Sequence, residues 1–550
     1  MPRPKESLPF DEHLISTNPR LVSLIDRLQT GVFDFLLLDR VAREPYRYVM
    51  QVVLLNLFVA WKTDDTSVAI PLRSGYWTKG KRPNHNYKIS WKTIKNVKEA
   101  FEDSGLLKLV NPHMYGELVS TVATYKATRK LKNLLEEYEI RLASLEIDSE
   151  TFQVIRMRDV KPPRPKGSKT RPKGKLIPIG DNLPEEVWTW ERQAQELNHH
   201  LRMTHIDLYV TEEELTSIKR RQSQKKIRKS DEEQFKKVQF HKKFIYRVFN
   251  NKKWDNGGRF YGAWWQSVPS AWRHRITIDN HITREKDYTS VHFYILYNQA
   301  GLEFPTKMVD ELGVFDPYDL SPYMNWADEE IKQWRDVTKL AMNIMLNAKD
   351  QQSAIKAMQR DRKKMKIPRH FKDWKDFVEF IRDKHKDIDF AFCSGKGVEY
   401  QFIDSKVANR VMEIMLQENG VVVLPIHDSF ICHTKHEEKL DQAMFKACKE
   451  ELGITIPVSY SEIPKVWKNE DGEGYHPTSM KQVEDIDPEQ CPSYFKRLQE
   501  FSDSYPADVP IVPPDYVQPT KKMKANLDSV DGYYLTEEQL KERRKQQEQS

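Results

Sequence analysis

The chain has 550 residues, 39% hydrophobic and 31% charged, with a formal net charge of +7. This length provides for roughly three or four domains at about 150 residues each, and a mean hydropathy of -0.72 describes a very polar chain that can still bury real cores. Its four cysteines (Cys393, Cys432, Cys448, Cys491) show neither close pairing nor metal-ligand spacing, which speaks against a disulfide framework and a zinc site and fits a reducing cytoplasm. The opening MPRPKESLPF lacks the apolar core of a secretory signal. The longest apolar run, 49–61, is interrupted by Gln51 and Asn56 and is too short for a bilayer, so no membrane partner is expected.

In chain order, residues 30–145 read as one small domain. A hydrophobic helix runs over 46–61 after Pro45. A second follows Ser90 as N-cap, with Ile94, Val97 and Phe101 on one face. Gly105 stands where a helix stops, and 106–110 reads as a strand. This order resembles a winged helix-turn-helix, in which the second helix enters the DNA major groove; Lys92, Lys95, Asn96 and Lys98 would be its exposed face. An ordinary helix with a solvated basic face fits the same residues.

Residues 146–185 read as a basic, Pro-rich linker, with KPPRPKGSKTRPKGKLIP at 161–178 able to touch phosphates without reading sequence. Residues 186–250 read as a helical, thumb-like region, with a second basic run at 219–229 on a helix starting after Thr211. Residues 251–475 are aromatic-rich and carry the chemistry. The remainder, 476–550, is an extension whose charged, Pro-rich end is expected to be mobile beyond about 502.

Short segments in the 251–475 region fit together as a set. The first is Asp255-Asn-Gly-Gly-Arg259, followed by Gln266-Ser267-Val268-Pro269. The second is Asp287-Tyr288-Thr289-Ser290, leading an apolar run. The third has Arg335 and Lys339 at i and i+4, with Asn343 and Asn347 further along the same helix as further candidate nucleotide-binding residues. The last is His427-Asp428-Ser429, closing a β-branched run that starts at Val421. Joining a 3′-hydroxyl to an α-phosphate builds charge on phosphoryl oxygens, which two divalent ions about 4 Å apart stabilise. Such hard cations prefer carboxylates, here Asp287 and Asp428. Cations four residues apart share one helical face and suit a triphosphate lying along it. Taken singly, each aspartate is more simply a turn or cap residue, and the basic pair a surface pair.

These segments resemble the motifs of family A DNA polymerases and of single-subunit phage and mitochondrial RNA polymerases. Asp255-x-x-Gly258-Arg259 is similar to DxxGR of the RNA polymerases, and Gln266-Ser267-Val268-Pro269 to QNIP of the DNA polymerases. Asp287-Tyr288-Thr289-Ser290 resembles motif A, Arg335-x-x-x-Lys339 motif B and His427-Asp428-Ser429 motif C, in the right order between 255 and 430. The resemblance implies an α+β right-hand polymerase (palm, fingers, thumb; a small antiparallel palm sheet; mostly helical) preceded by the winged-helix domain. It implies Asp287 and Asp428 as ligands of two magnesium ions, with manganese as a substitute. Arg335 and Lys339 would hold the incoming triphosphate, Lys339 also being the proton donor to pyrophosphate. Arg259 and Gln266, with Asp255 in the same segment, would meet template or duplex, and His427 the primer end. DNA template, a DNA or RNA primer and nucleoside triphosphates follow as partners.

Two positions depart from the families. Asn347-Ala348 stands where they place Tyr-Gly, eight and nine residues beyond Lys339, and His292 lies five residues past Asp287, where DNA polymerases carry a bulky glutamate and RNA polymerases a glycine. A bulky His292 should clash with a 2′-hydroxyl, which favours deoxynucleotides; DxxGR and HDS point to ribonucleotides. The expectation is a DNA-directed DNA polymerase. A single-subunit RNA polymerase or primase on the same scaffold, and a non-catalytic replication initiator with a decayed polymerase region, are the alternatives.

Overall fold

A computed structural model describes residues 7–505 except 37–42, 79–81, 114–121, 164, 166–170, 181, 225–237, 305–315, 321–323, 325–327, 361–365, 461–466, 469–473 and 476–485. The architecture is mixed, with small sheets and more helix than strand. No helix among the described residues is long and apolar enough to cross a membrane.

The N-terminal unit begins earlier than position 30, because β1 (Ser7–Pro9) lies parallel beside β3 (Ser67–Ala69). Leu8 and Phe10 join its core. The short strand β2 (Leu14–Ile15) pairs with β6 (Glu146–Ile147) and closes the unit at its other end. Helix α1 (Pro19–Leu36) and helix α2 (Arg43–Lys62) precede β3; the apolar run 49–61 lies in α2 and is buried almost throughout. Helix α3 (Trp91–Asp103) starts at Ser90, whose hydroxyl accepts from the Thr93 amide while the Thr93 hydroxyl accepts from the Ser90 amide. Ile94, Val97 and Phe101 are fully buried. Gly105, at φ +67, releases the chain into β4 (Leu107–Asn111), which pairs with β5 (Thr124–Ala127) before α4 (Arg129–Glu137). The strand order is β1-β3-β5-β4.

The stretch 146–185 is not simply a linker. Strand β7 (Ile155–Arg158) buries Ile155 and Met157 and pairs antiparallel with β8 (Leu176–Ile177), so a strand pair flanks the basic segment, of which 164 and 166–170 lie outside the described residues. On its other edge β7 runs parallel to β10 (Tyr246–Asn250), giving a sheet of order β11-β10-β7-β8 that includes β11 (Lys253–Tyr261). The thumb-like region is likewise not all helix. It holds α5 (Glu185–Met203) and α6 (Glu212–Gln224), but also β9 (Ile206–Leu208) and β10. Helix α6 does start after Thr211; the basic run continues past 224 outside the described residues.

The central sheet is antiparallel, ordered β14-β15-β13-β12-β9 with β16 on the other edge of β13. Its strands are β12 (Ile276–Ile278), β13 (His281–Tyr288), β14 (Leu424–Ile426), β15 (Ser429–His433) and β16 (Val458–Tyr460). The helices α7 (Ser270–Arg273), α8 (Val291–Gln299), α9 (Asp328–Asn347), α10 (Gln351–Arg360), α11 (Trp374–Lys384), α12 (Gly397–Glu413) and α13 (Glu437–Leu452) share its core. One continuous core runs from Leu197 to Val458 through these elements. Helix α14 (Pro492–Ser502) packs Tyr494 and Phe501 beside Tyr209, and Arg497 pairs with Asp207 at 2.8 Å. The tail beyond 505 lies outside the described residues.

Candidate active site

Side chains alternate along a strand, so Glu285 and Asp287 face one side of β13 and Lys286 the other. Lys286 is fully buried and donates to Asp441 of α13 at 2.5 Å, with Glu437 at 3.9 Å. This anchor holds the strand so that Asp287 looks away from α13. Across the sheet Asp287 is directly opposite Ser429, and directly opposed residues have Cα atoms about 5 Å apart. Asp428, the residue before Ser429, is therefore its neighbour. The backbone turns there between β14 and β15, with His427 at φ +61. Two aspartates 141 positions apart in the chain thus meet (428 − 287).

The carboxyl of Asp287 is pushed up to about 8, first by burial and then by the negative charge of Asp428 and Glu285, with Lys339 and Arg273 acting the other way. Its Oδ1 is buried and without a hydrogen-bond partner. Glu285 is committed elsewhere: it accepts from Arg273 Nη1 at 2.7 Å and from the Ser429 hydroxyl at 2.7 Å. This chain of contacts ties α7 to the hairpin that carries Asp428. Among the described residues no three His, Cys, Asp or Glu side chains converge as a metal cage. A buried carboxylate with an unpartnered oxygen, a second carboxylate beside it and cations above match what magnesium takes from a protein: one or two carboxylates, with substrate phosphate and water completing the shell. The residues fit the group.

Helix α9 packs Trp334, Val337, Ala341 and Met345 into the core, which leaves Arg335 and Lys339 on another face. Lys339 is exposed and lies near enough to Asp287 to act on its charge. Arg335 pairs through Nε with Asp316. The Tyr318 ring lies 5.6 Å from the Arg335 guanidinium and 5.3 Å from Lys339 Nζ. Asn343 is half-buried and its carbonyl accepts from the Asn347 amide at 2.8 Å. Asn347 also leaves no room for a side chain at Gly397, whose Cβ would come within 2.3 Å of Asn347 Oδ1.

His292 does not stand free. Its Nε2 lies 3.1 Å from Asp404 Oδ2 on α12. The same carboxylate receives Arg259 Nε at 3.0 Å and a second guanidinium nitrogen, Nη2. Burial pushes the Asp404 carboxyl up, but hydrogen bonds from His292 and Arg259 outweigh it and hold it below the usual range. Arg259 reaches α12 because the strand passes close to the helix. Gly258, at φ +75 beside a register shift of β11, would place a Cβ 2.7 Å from Ser405 Oγ.

The residues expected to meet nucleic acid are placed as follows within the chain's own contacts. The Gln266 amide is used internally, donating to the carbonyls of Phe260 at 3.1 Å and Pro425 at 3.2 Å, so it shapes the loop beside the Asp428 hairpin instead of reaching outward. Asp255 is exposed on β11, and its segment meets the site through Arg259. His427 is exposed with its ring 5.9 Å from Tyr261. On α3, of the four residues expected to form an exposed face, Lys92 alone is exposed. Lys95 and Lys98 pair with Glu99 and Glu102 one turn on, at 3.8 and 2.5 Å, and Asn96 donates to the Tyr46 hydroxyl at 3.0 Å. The i, i+4 glutamates neutralise that face.

Asp404, Asp316, Tyr318 and Glu285 were not picked out from the sequence. Glu285 could have been, since period two from Asp287 puts it on the same face. The others come from segments with no local pattern. No protein-family model matches the chain, and no curated protein matches it.

Proposed function

We propose that this chain is a template-directed nucleotidyltransferase of the right-hand polymerase type, a DNA-directed DNA polymerase extending a primer 3′ end. The observation that carries this reading is the meeting of Asp287, on β13, with Asp428, in the turn just before β15, near Lys339 of α9. The N-terminal unit, with helix, strand, helix and a two-stranded hairpin in that order, supports a winged-helix module. Its α3 is poorly furnished for reading DNA by charge, and nonspecific phosphate contact falls more naturally to the basic loop between β7 and β8.

Asp287 and Asp428 would hold two magnesium ions, which when bound supply Lewis-acid stabilisation of the charge developing on the phosphoryl oxygens. The chain's own residues do the rest. Arg335 and Lys339 grip the triphosphate, the guanidinium through a planar fork and the ammonium as a point charge. Lys339 would hand a proton to the departing pyrophosphate, a role worth about 10²–10⁴ in rate. Arg273 and Ser429, through Glu285, fix the strand and hairpin that present the two aspartates. His292, held by Asp404, stands five residues past Asp287, where a bulky side chain would clash with a 2′-hydroxyl, which favours deoxynucleotides. His427 and Tyr261 form an aromatic surface beside Asp428 for the primer end.

The test is primer extension by the full chain on a primed template, with deoxynucleotides and with ribonucleotides, beside Asp287→Asn and Asp428→Ala. Extension with deoxynucleotides that both variants abolish while binding of primer–template persists is the expected result. Ribonucleotide incorporation in its place assigns an RNA polymerase or primase. DNA binding with no extension by the wild-type chain would assign a non-catalytic initiator.

A further inference from the structure

We propose that Asp316 and Tyr318 are positioning residues for the phosphate-gripping cations of α9, an inference that rests on the polymerase reading. Both oxygens of the Asp316 carboxylate are used. Oδ1 accepts from the Tyr318 amide at 2.9 Å, closing a tight turn reinforced by Asp319 N–H on the Asp316 carbonyl at 3.0 Å. Oδ2 accepts from Arg335 Nε. A single side chain therefore orders the ring of Tyr318 and the guanidinium of Arg335 together.

The way Arg335 is held decides between a brace and a competitor. A guanidinium carries five N–H donors in a rigid fork. Asp316 takes the one on Nε, which fixes the plane of the group and leaves the terminal nitrogens, the end that grips phosphate bidentately, outside this pair. An internal anion that blocked the site would be expected across that fork. Both partners are partly exposed, at 35% and 25%, so the Coulombic part of their contact is modest and orientation is what it contributes.

Tyr318 does the second part. Arg335 and Lys339 are like charges one turn apart and repel each other. One aromatic face within 6 Å of both attracts each through its quadrupole, which offsets that repulsion before any phosphate arrives. The ring is fixed in turn: it is buried, meets Phe293 edge-on at 5.3 Å, and its neighbour Pro317 is tied through its carbonyl to His385 Nε2 at 3.1 Å. Phe293 belongs to α8, which follows Asp287 directly, so the brace is keyed to the strand carrying the metal-binding aspartate.

The experiment is calorimetric titration of the full chain with inorganic tripolyphosphate in the presence of a chelator, together with nucleotide KM and kcat in primer extension. Asp316→Ala and Tyr318→Leu should each weaken tripolyphosphate binding about tenfold and raise KM with little change in kcat, the loss expected when a charge-assisted or cation–π contact that fixes a side chain is removed. Tyr318→Phe should stay within about twofold of wild type, because the ring and not the hydroxyl supports the cations. Asp316 is partly exposed, so its variant remains informative even where Tyr318→Leu fails to fold. Tighter binding by Asp316→Ala would overturn the brace in favour of a competing anion, and unchanged binding by both Asp316→Ala and Tyr318→Leu would overturn it outright. A wild-type chain that extends no primer, yet whose tripolyphosphate affinity drops in the variants, would refute the polymerase reading and leave the brace standing.

Discussion

The buried anchor beneath Asp287 provides a sharp test of how the site is held. Lys286 is wholly buried and Asp441 almost so, 2.5 Å apart, with Glu437 as a more distant second partner at 3.9 Å. Asp441→Ala leaves an ammonium in the core with only Glu437 to answer it, and losing one member of a buried pair costs about 3–5 kcal/mol. The remaining partner puts this case near the lower end, about 3 kcal/mol. At 1.4 kcal/mol per tenfold, amides of β13 and β15 whose exchange requires the sheet to open should exchange roughly a hundredfold faster. Hydrogen–deuterium exchange of peptides covering 281–288 and 429–433 measures this locally, which matters in a chain this long, where a single unfolding midpoint is not well defined. Primer extension should fall in parallel, since Asp287 is the next residue along the strand. Replacing the pair together, Lys286→Met with Asp441→Leu, removes both charges while Glu437 keeps Arg284 at 3.2 Å, and should return exchange to within about tenfold of wild type. Exchange unchanged in Asp441→Ala, or a double variant worse than the single one, would refute the reasoning.

Other expectations follow from individual contacts. His292→Gly removes the bulky side chain five residues past Asp287 and should lower discrimination against ribonucleotides by about tenfold or more, measured as the ratio of kcat/KM for the two sugars; an unmoved ratio excludes the steric role. Gly258→Ala combines a positive φ with a 2.7 Å approach to Ser405 Oγ, and should cost about 2 kcal/mol or more, seen as faster exchange in β11 and α12. His205 and His385 are both 3% exposed and burial lowers each from 6.5 to about 4. A folded pKa below the unfolded one means that the stabilisation is complete above pH 6.5 and is lost as pH falls toward 4, by up to about 3 kcal/mol for each. Hydrogen–deuterium exchange of peptides covering 204–209 and 385–392 between pH 7 and 4, corrected for intrinsic exchange, checks the sign: protection there that rises on acidification contradicts it.

What the sequence made legible was local. Ser90 as N-cap, Gly105 and the apolar spacing of α3 lie within a few turns of one another, so capping chemistry and periodicity were enough to place that helix. The same holds for Arg335 and Lys339, whose shared face follows from helical geometry alone. The pairing of Asp287 with Asp428 came from motif resemblance, and the register that brings them together depends on β13 and β15 finding each other across the intervening chain. Where local pattern was followed alone, it misled. Prolines and lysines at 161–175 read as a linker, yet Ile155 and Met157 on one flank and Leu176 on the other make a strand pair, because two short apolar flanks suffice when β10 supplies a third edge.

The charges were the least legible part, for a reason that is physical. A side chain's type tells which charge is available, and its partner tells whether that charge is spent. Lys95 and Lys98 look like a DNA-facing stripe until Glu99 and Glu102 are placed beside them, and His292 looks like a free gate until Asp404 is found against it. Asp404 holds Arg259 as well, so a residue from the first segment and one from the second share a single buried anion that neither segment predicts. Removing that anion should therefore change two functions at once. Asp404→Asn would loosen His292, and with it the proposed sugar discrimination, and would release Arg259 of β11. If the two side chains act through Asp404, the effects of Asp404→Asn and His292→Gly on the sugar ratio should be strongly non-additive, as expected for residues in one hydrogen-bonded network. Additive effects would mean that His292 discriminates without the brace.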